Sequence, residues 1–143
     1  MKVKQISVFL ENKSGRLHEV CSTLAENDIN IRALCIAETA DYGVLRLIVN
    51  RPEAARDVLS RAGFTVSETD VIAVEIPDRP GGLAAALKAL LAENVNIEYI
   101  YCFVEKSGEK AMVVFRLEEL DRGIGALQAA GFVVMRGEDA YSI

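Results

Sequence analysis

Two short stretches of the sequence combine small polar residues with glycine in a pattern that suits binding of a small charged molecule. They are ENKSGRL, residues 11–17, and PDRPGGL, residues 77–83. Glycine lets a backbone approach a ligand closely because it has no Cβ atom. The amide of Asn12 both donates and accepts hydrogen bonds, whereas an ionised Asp78 only accepts them and favours an ammonium group. The chemistry predicted is non-covalent capture of an ammonium or carboxylate group.

Each stretch precedes an apolar stripe with helical spacing, so each candidate site lies at the start of a predicted helix. The first turn of a helix leaves about four N–H groups unpaired, and the helix dipole makes that end positive. A carboxylate is stabilised at such a position. The alternative is that Asn12, Ser14 and Asp78 are helix N-caps, each contributing roughly 1 kcal/mol whether or not a ligand exists.

The two stretches belong to an internal repeat. The aligned pairs, each separated by 66 residues, are Asn12 with Asp78, Gly15 with Gly81, Leu17 with Leu83 and Asn30 with Asn96. Later, AGF at residues 62–64 matches AGF at residues 130–132 with a separation of 68. The repeat predicts two copies of one unit, residues 1–70 and residues 71–143.

Hydrophobic periodicity predicts the order β-α-β-β-α-β in each copy. Such a unit closes as a four-stranded antiparallel sheet with two helices on one face. The predicted fold class is therefore α+β, with two tandem ferredoxin-like units. The last strand of the second copy is predicted at FVVM, residues 132–135. The helix before it contains Gly123 and Gly125, which lower helix propensity, so we expect it to be the least regular.

The strand after the first helix of each unit should lie at a sheet edge. These strands are NIRALCIA, residues 30–37, and NIEYIYCFV, residues 96–104. Both are apolar and have few of the charges that protect an edge from pairing. Pairing of the two edges, within the chain or between chains, would give an eight-stranded sheet with the helices on one face. The open apolar face would then need cover from another copy, which predicts a homodimer.

The order of strand, ENKSGRL, helix and NDINI resembles the ACT domain, the small-molecule regulatory module of amino-acid metabolism. ENKSGRL with NINI is most similar to the valine-sensing regulatory subunit of acetolactate synthase. PDRPGGL resembles the D/N-x-P-G-x-L form found in other ACT domains. The resemblance covers the whole chain as two tandem copies, and it implies that an amino acid binds between the loop of one unit and the edge strand of another.

The candidate ligand-binding residues lie in two equivalent sets. In the first copy they are Asn12, Lys13, Ser14, Gly15, Arg16, Leu17, Asn30 and Ile31. In the second copy they are Asp78, Arg79, Pro80, Gly81, Gly82, Leu83, Asn96 and Ile97. The copies differ at Asn12 against Asp78 and at Arg16 against Gly82, so equivalent sites are not expected. That difference leaves open that one copy has lost binding and kept only a packing role.

Other functional classes have little support in the sequence. The net charge of −5 counts against a nucleic-acid partner. The single histidine does not make a catalytic triad, and no phosphate-binding or dinucleotide-binding glycine motif is present. The three cysteines have no C-x-x-C spacing, which predicts buried free thiols and no metal site. No apolar run approaches the roughly 20 residues needed to span a membrane, so we expect a cytoplasmic protein.

The predicted function is therefore non-catalytic sensing of an amino acid or a similar metabolite, with no cofactor. One alternative is a dedicated regulatory subunit of an amino-acid biosynthetic enzyme such as acetolactate synthase, with a catalytic subunit as its partner. Another is a structural association module that binds no ligand.

Overall fold

The computed structural model describes residues 1–38, 41–104 and 108–143, and the chain divides into two compact units. The N-terminal unit comprises Lys4–Thr69, and the C-terminal unit comprises Met1–Val3 together with Asp70–Ile143. The division into repeats at residue 70 that the sequence suggests stays a prediction. No helix in the described part of the chain is long and apolar enough to cross a membrane.

The N-terminal unit has the predicted β-α-β-β-α-β order. Its elements are β1 (Val3–Glu11), α1 (Arg16–Glu26), β2 (Ile31–Glu38), β3 (Tyr42–Val49), α2 (Pro52–Arg61) and the first part of β4 (Thr65–Pro77). The strand order is β2-β3-β1-β4, and β3 pairs antiparallel with both β1 and β2. This is the ferredoxin-like arrangement that the sequence predicts, so the predicted fold class is confirmed.

The C-terminal unit follows the same plan with one difference at its end. Its elements are the second part of β4, α3 (Gly82–Ala92), β5 (Ile97–Cys102), β6 (Lys110–Leu117), α4 (Leu120–Ala129) and α5 (Gly137–Tyr141). The strand order is β4-β6-β5 with antiparallel pairs. The strand predicted at residues 132–135 is reduced to a single bridge between Val74 and Val134, and the short helix α5 was not predicted.

The prediction of eight strands is therefore wrong in its count, because the described residues form six strands. One reason is that β4 continues for 13 residues without a turn and supplies both the last strand of the first repeat and the first strand of the second. The other reason is the loss of the final strand to an isolated bridge.

Each unit has its own apolar core between its strands and helices. Alternate residues of a strand point to opposite faces, so Ile6, Val8 and Leu10 of β1 all face the helices of the N-terminal unit and are buried. In the C-terminal unit Ile72, Val74 and Ile76 occupy the same positions on β4.

Helix α4 is as long as α2, at 10 residues, and the expectation that it would be the least regular helix stays a prediction. A Cβ atom on Gly123 would lie 2.2 Å from Cδ1 of Leu117 on β6. The glycine therefore lets α4 pack closely on the strand. This packing offsets the lower helix propensity of the glycine.

The strand face opposite the helices includes both buried and exposed residues. Gln5, Ala33 and Ile48 lie on that face in the N-terminal unit and are fully buried, as is Ala73 in the C-terminal unit. Phe9 and Tyr42 stack on each other on the same face and are 48% and 47% exposed, and the homodimer stays a prediction. Exposed apolar surface remains in other places, including the edge strands.

Candidate functional site

The loop between β1 and α1 and the loop between β4 and α3 repeat one backbone structure. The N–H group of Asn12 donates to the carbonyl oxygen of Asp41 at 2.9 Å, and that of Asp78 donates to Glu109 at 2.9 Å. In both loops the N–H group of the following residue, Lys13 or Arg79, donates to the carbonyl oxygen two residues earlier, again at 2.9 Å. The two motifs that the sequence singled out thus have the same local fold.

A glycine in the left-handed conformation begins each helix. Gly15 has φ 88°, and Gly81 has φ 86°. A Cβ atom would meet no atom within 4 Å at either position, so steric crowding does not explain the glycine. The left-handed backbone angle does, because other residues rarely adopt it. Both glycines are N-caps, and in the described residues neither α1 nor α3 has a side-chain cap. The interpretation of Asn12, Ser14 and Asp78 as N-cap residues is therefore wrong.

An open cleft of about 190 Å³ lies beside the first loop in the N-terminal unit. Its lining residues are Leu10, Glu11, Asn12, Lys13, Arg16, Leu17, Ile36 and Gly43. The structure thus brings together four of the predicted site residues, two of which are cationic. Sequence reasoning missed the other four residues. Glu11 was adjacent to the motif, but Ile36 and Gly43 reach the cleft only through the pairing of β1 and β2 with β3.

Two contacts hold the side chain of Arg16, and one hydrogen bond holds its backbone. Its guanidinium carbon lies 4.8 Å from the centre of the Phe64 ring, and its Nη1 donates to the carboxylate of Glu19 at 2.6 Å. Its backbone N–H donates to the carbonyl oxygen of Lys13. Nε is buried and has no hydrogen-bond partner in the described structure. Because a guanidinium has five N–H donors, Arg16 keeps donor capacity for a further group.

Glu11 and Lys13 form an ion pair at the mouth of the cleft, with Nζ and the carboxylate oxygen 2.7 Å apart. The hydrogen bond from Lys13, and then its charge, lower the pKa of Glu11. The same contact raises the pKa of Lys13. Both groups therefore remain charged at neutral pH. With Arg16, the cleft has two cationic side chains and one carboxylate.

Asn30 and Ile31 lie at the far end of β2, away from the cleft of their own unit. Ile31 pairs with Val49, whereas Ile36 pairs with Leu45. Five strand residues separate them by roughly 17 Å. Asn30 is held by Asn50, whose Oδ1 accepts its N–H at 2.9 Å. A role for Asn30 in ligand binding therefore needs a loop from another unit, and it stays a prediction.

Asn96 and Ile97 have the same placement in the C-terminal unit. Ile97 pairs with Leu117, and the carbonyl oxygen of Asn96 accepts from the N–H of Glu118 at 3.1 Å. The other predicted residues of that unit lie at the second loop, where an open hollow of about 340 Å³ is lined by Asp78 and Arg79 with Pro77, Gly108 and Glu109. A similar hollow of about 340 Å³, lined in part by Asn12 and Lys13, lies outside the first loop.

The start of α3 differs from the start of α1 at one position. Gly82 replaces Arg16, and a Cβ atom there would lie 2.1 Å from the carbonyl oxygen of Pro77. Leu83 is exposed to the same extent as Leu17, and both Ser14 and Pro80 are exposed. Cys102 is exposed, against the expectation of a buried thiol, because it lies on the edge strand at the place that corresponds to Ile36.

The repeated loops and the sequence of the whole chain match a known family. Residues 1–135 match the sequence model of the family described as an ACT domain pair. The chain belongs to the ACT domain pair family. An ACT domain pair is a regulatory module that binds small molecules. The predicted resemblance to ACT domains is thus confirmed, while the narrower similarity to the acetolactate synthase subunit stays a prediction.

Solved structures agree with membership of the ACT family. The chain is 44% identical to protein BT0572 from Bacteroides thetaiotaomicron, over 100% of this chain and 98% of that one, with a TM-score of 0.94. It shares 18% identity with the ligand-free regulatory subunit of aspartate kinase from Thermus thermophilus, over 90% and 92% of the two chains, with a TM-score of 0.64.

The corresponding subunit from Thermus flavus is 16% identical over 89% of this chain and 91% of that chain, with a TM-score of 0.60. At these identities the Thermus subunits show a shared fold and nothing more specific. No curated protein sequence matches the chain significantly.

Proposed function

We propose that this ACT domain pair is a non-catalytic regulatory protein that binds an amino acid or a similar small metabolite. The observation that carries the proposal is the cleft of the N-terminal unit, where the cations of Lys13 and Arg16 lie beside the amide of Asn12 and the carboxylate of Glu11. An amino acid has one carboxylate and one ammonium group, so its charges are complementary to this arrangement.

The ligand is proposed to lie where the loop of one ACT unit meets the edge strand of another. Two observations support this position. Asn30 lies far from the loop of its own unit, and β2 is paired only with β3 in the described structure. The edge also has exposed apolar side chains, among them Leu34, which is 39% exposed, and Ile36, which is 43% exposed. Unpaired apolar edges favour pairing with another chain, so a homodimer is part of the proposal.

Regulation would follow from a shift between populations of assembly states. A ligand that bridges a loop and a partner strand stabilises the paired arrangement over the separate one, and it shifts the equilibrium only by its difference in affinity for the two. Coupling free energies of about 1–3 kcal/mol are ordinary for such regulators.

A thermal-shift screen against the twenty amino acids tests ligand binding. A ligand present at 100 times its dissociation constant should add about 2.7 kcal/mol to the free energy of unfolding. For a chain of this size that is a rise in Tm of roughly 5–10 °C. If none of the twenty raises the Tm, the proposal of amino-acid binding fails, and a structural module without a ligand is the better description.

The proposed dimer is tested separately with Leu34→Lys, which places a charge on the β2 edge. We expect the variant to be monomeric by light scattering at concentrations where the natural chain is dimeric. Leu91→Lys is the matched control, because Leu91 lies on α3 and is 74% exposed. If both variants keep the mass of the natural protein, pairing through β2 is ruled out.

A second candidate function is a dedicated regulatory subunit of an amino-acid biosynthetic enzyme such as acetolactate synthase. The observation that favours it is the similarity of ENKSGRL and NINI to that enzyme's regulatory subunit. The partner would then be a catalytic subunit in the cytoplasm, and neither nucleic acid nor membrane would take part. Co-purification of a large catalytic chain, and a change in its rate on adding this protein with an amino acid, are the expected results.

A further inference from the structure

We propose that the cleft of the N-terminal ACT unit binds a small carboxylate with an apolar side chain, and that the corresponding loop of the C-terminal unit does not. The existence of a ligand rests on the proposed function. The inference adds two points to the proposed function. The lining of the cleft indicates the chemical class of the ligand, and Gly82 indicates which of the two loops binds it.

The size of the cleft limits what it can hold. Its volume is about 190 Å³, below the roughly 300–1,000 Å³ of pockets that take drug-sized molecules. A single amino acid or a short carboxylic acid suits a cleft of this size.

The apolar part of the lining selects the side chain. Leu10 lies at the end of β1, Leu17 in the first turn of α1 and Ile36 on β2. Leu17 is 37% exposed and Ile36 is 43% exposed. A ligand side chain that covers them removes apolar surface from water, which is favourable in proportion to the area covered. A charged side chain lying on these three residues would lose hydration without gaining a partner from them.

The carboxylate is anchored by Arg16. The ring of Phe64 and the carboxylate of Glu19 fix its guanidinium in place beside the cleft. A guanidinium whose position is already fixed loses less conformational freedom on binding than a free arginine does. Its planar set of donors matches the two oxygens of a carboxylate. Lys13 is the weaker anchor, because its side chain is 72% exposed against 30% for Arg16.

The C-terminal unit lacks this anchor and cannot easily regain it. Gly82 stands in place of Arg16, and even a Cβ atom there would lie 2.1 Å from the carbonyl oxygen of Pro77. Asp78 replaces Asn12 and adds a negative charge beside the position of the carboxylate. Cys102 replaces Ile36 and shortens the apolar wall. The second loop therefore keeps the backbone fold of the first but lacks the arginine anchor and one of the three apolar lining residues.

Calorimetry with a set of matched probes tests the ligand class. L-leucine and L-phenylalanine should bind with one molecule per chain, and L-aspartate and L-lysine should bind at least tenfold more weakly. 3-Methylbutylamine lacks the carboxylate of leucine and should not bind. 4-Methylvalerate lacks the amine but keeps the carboxylate, so it should bind. Whichever of leucine and 4-methylvalerate binds more tightly identifies the class as amino acids or simple carboxylic acids.

Substitutions locate the site. Arg16→Ala should weaken leucine binding by about 10- to 100-fold, the range expected for loss of a charge-assisted hydrogen bond. Arg79→Ala removes a cation from the second loop and should leave the affinity unchanged. The Tm of each variant without ligand checks that it is folded.

The outcomes separate this inference from the proposed function. Binding of any amino acid keeps the proposed function. Tighter binding of aspartate or lysine than of leucine, two molecules per chain, or equal affinity of Arg16→Ala and the natural protein would overturn the inference alone. If none of the twenty amino acids and no carboxylate probe binds, both fail.

Discussion

Replacing Gly82 by alanine should destabilise the C-terminal unit, whereas the same replacement at Gly125 should stabilise it. Both glycines lie in helices of that unit, Gly82 at the start of α3 and Gly125 within α4. Neither has a positive φ, so the backbone angle requires glycine at neither position. The two variants make the same chemical change and differ only in the space around the new methyl group.

The structure sets the size of the difference. At Gly82 the methyl carbon would lie 2.1 Å from the carbonyl oxygen of Pro77 and 3.4 Å from Cγ2 of Ile76. Ordinary contacts need about 3.5–4.0 Å, so the start of α3 must move by more than 1 Å. Overpacking of this kind lowers stability by roughly 1–3 kcal/mol, and the higher end applies because a backbone oxygen cannot rotate away. At Gly125 no atom lies within 4 Å of the new methyl group, and helix propensity alone adds about 1 kcal/mol.

Urea unfolding followed by far-ultraviolet circular dichroism measures both variants. With a slope of about 1–3 kcal/mol per M, the midpoint of Gly82→Ala should fall by roughly 1–3 M. The midpoint of Gly125→Ala should rise by a few tenths of a molar unit or more. If the free energy of unfolding of Gly82→Ala lies within about 0.5 kcal/mol of that of the natural protein, α3 does not approach Pro77 as closely as described. The steric reason given for the lost anchor in the second loop then fails as well.

Three further predictions follow from the same contacts. In urea unfolding, Gly123→Ala should be less stable than Gly125→Ala by about 1–3 kcal/mol, because its methyl group meets the buried side chain of Leu117. Equal stabilities of the two variants would contradict the close packing of α4 on β6. Gly15→Ala and Gly81→Ala should each lower the free energy of unfolding by about 1–2 kcal/mol, because both glycines have left-handed backbone angles and no close neighbours. Clearly different losses in the two variants would show that the two loops differ. Lys13→Ala should raise the pKa of Glu11 toward its ordinary value of 4.5, measured by carbon NMR of the carboxyl group. Since Lys13 lowers that pKa, the ion pair favours the folded state above about pH 4.5 and its contribution is lost as the pH falls through the folded pKa; an unchanged Glu11 titration in Lys13→Ala would exclude the pair.

The sequence determined the repeat, the order of the elements and the two loops, because these depend on interactions between residues close together in the chain. Hydrophobic spacing reports which face of a helix or strand is buried. Gly15 and Gly81 report the left-handed angle that begins each helix. The similarity of the two motifs also predicts that they share one backbone structure.

Only the tertiary structure decided which side chains join the loop to form a cleft. Ile36 reaches it through the register of β2 on β3, and Phe64 reaches Arg16 across 48 residues of sequence. Strand register depends on many pairings at once, and nothing local in the sequence reports it. For the same reason the unbroken course of β4 was not predicted from the sequence. The difference between Arg16 and Gly82 was readable in the sequence, but its steric cause, the carbonyl oxygen of Pro77, became visible only when the chain was folded.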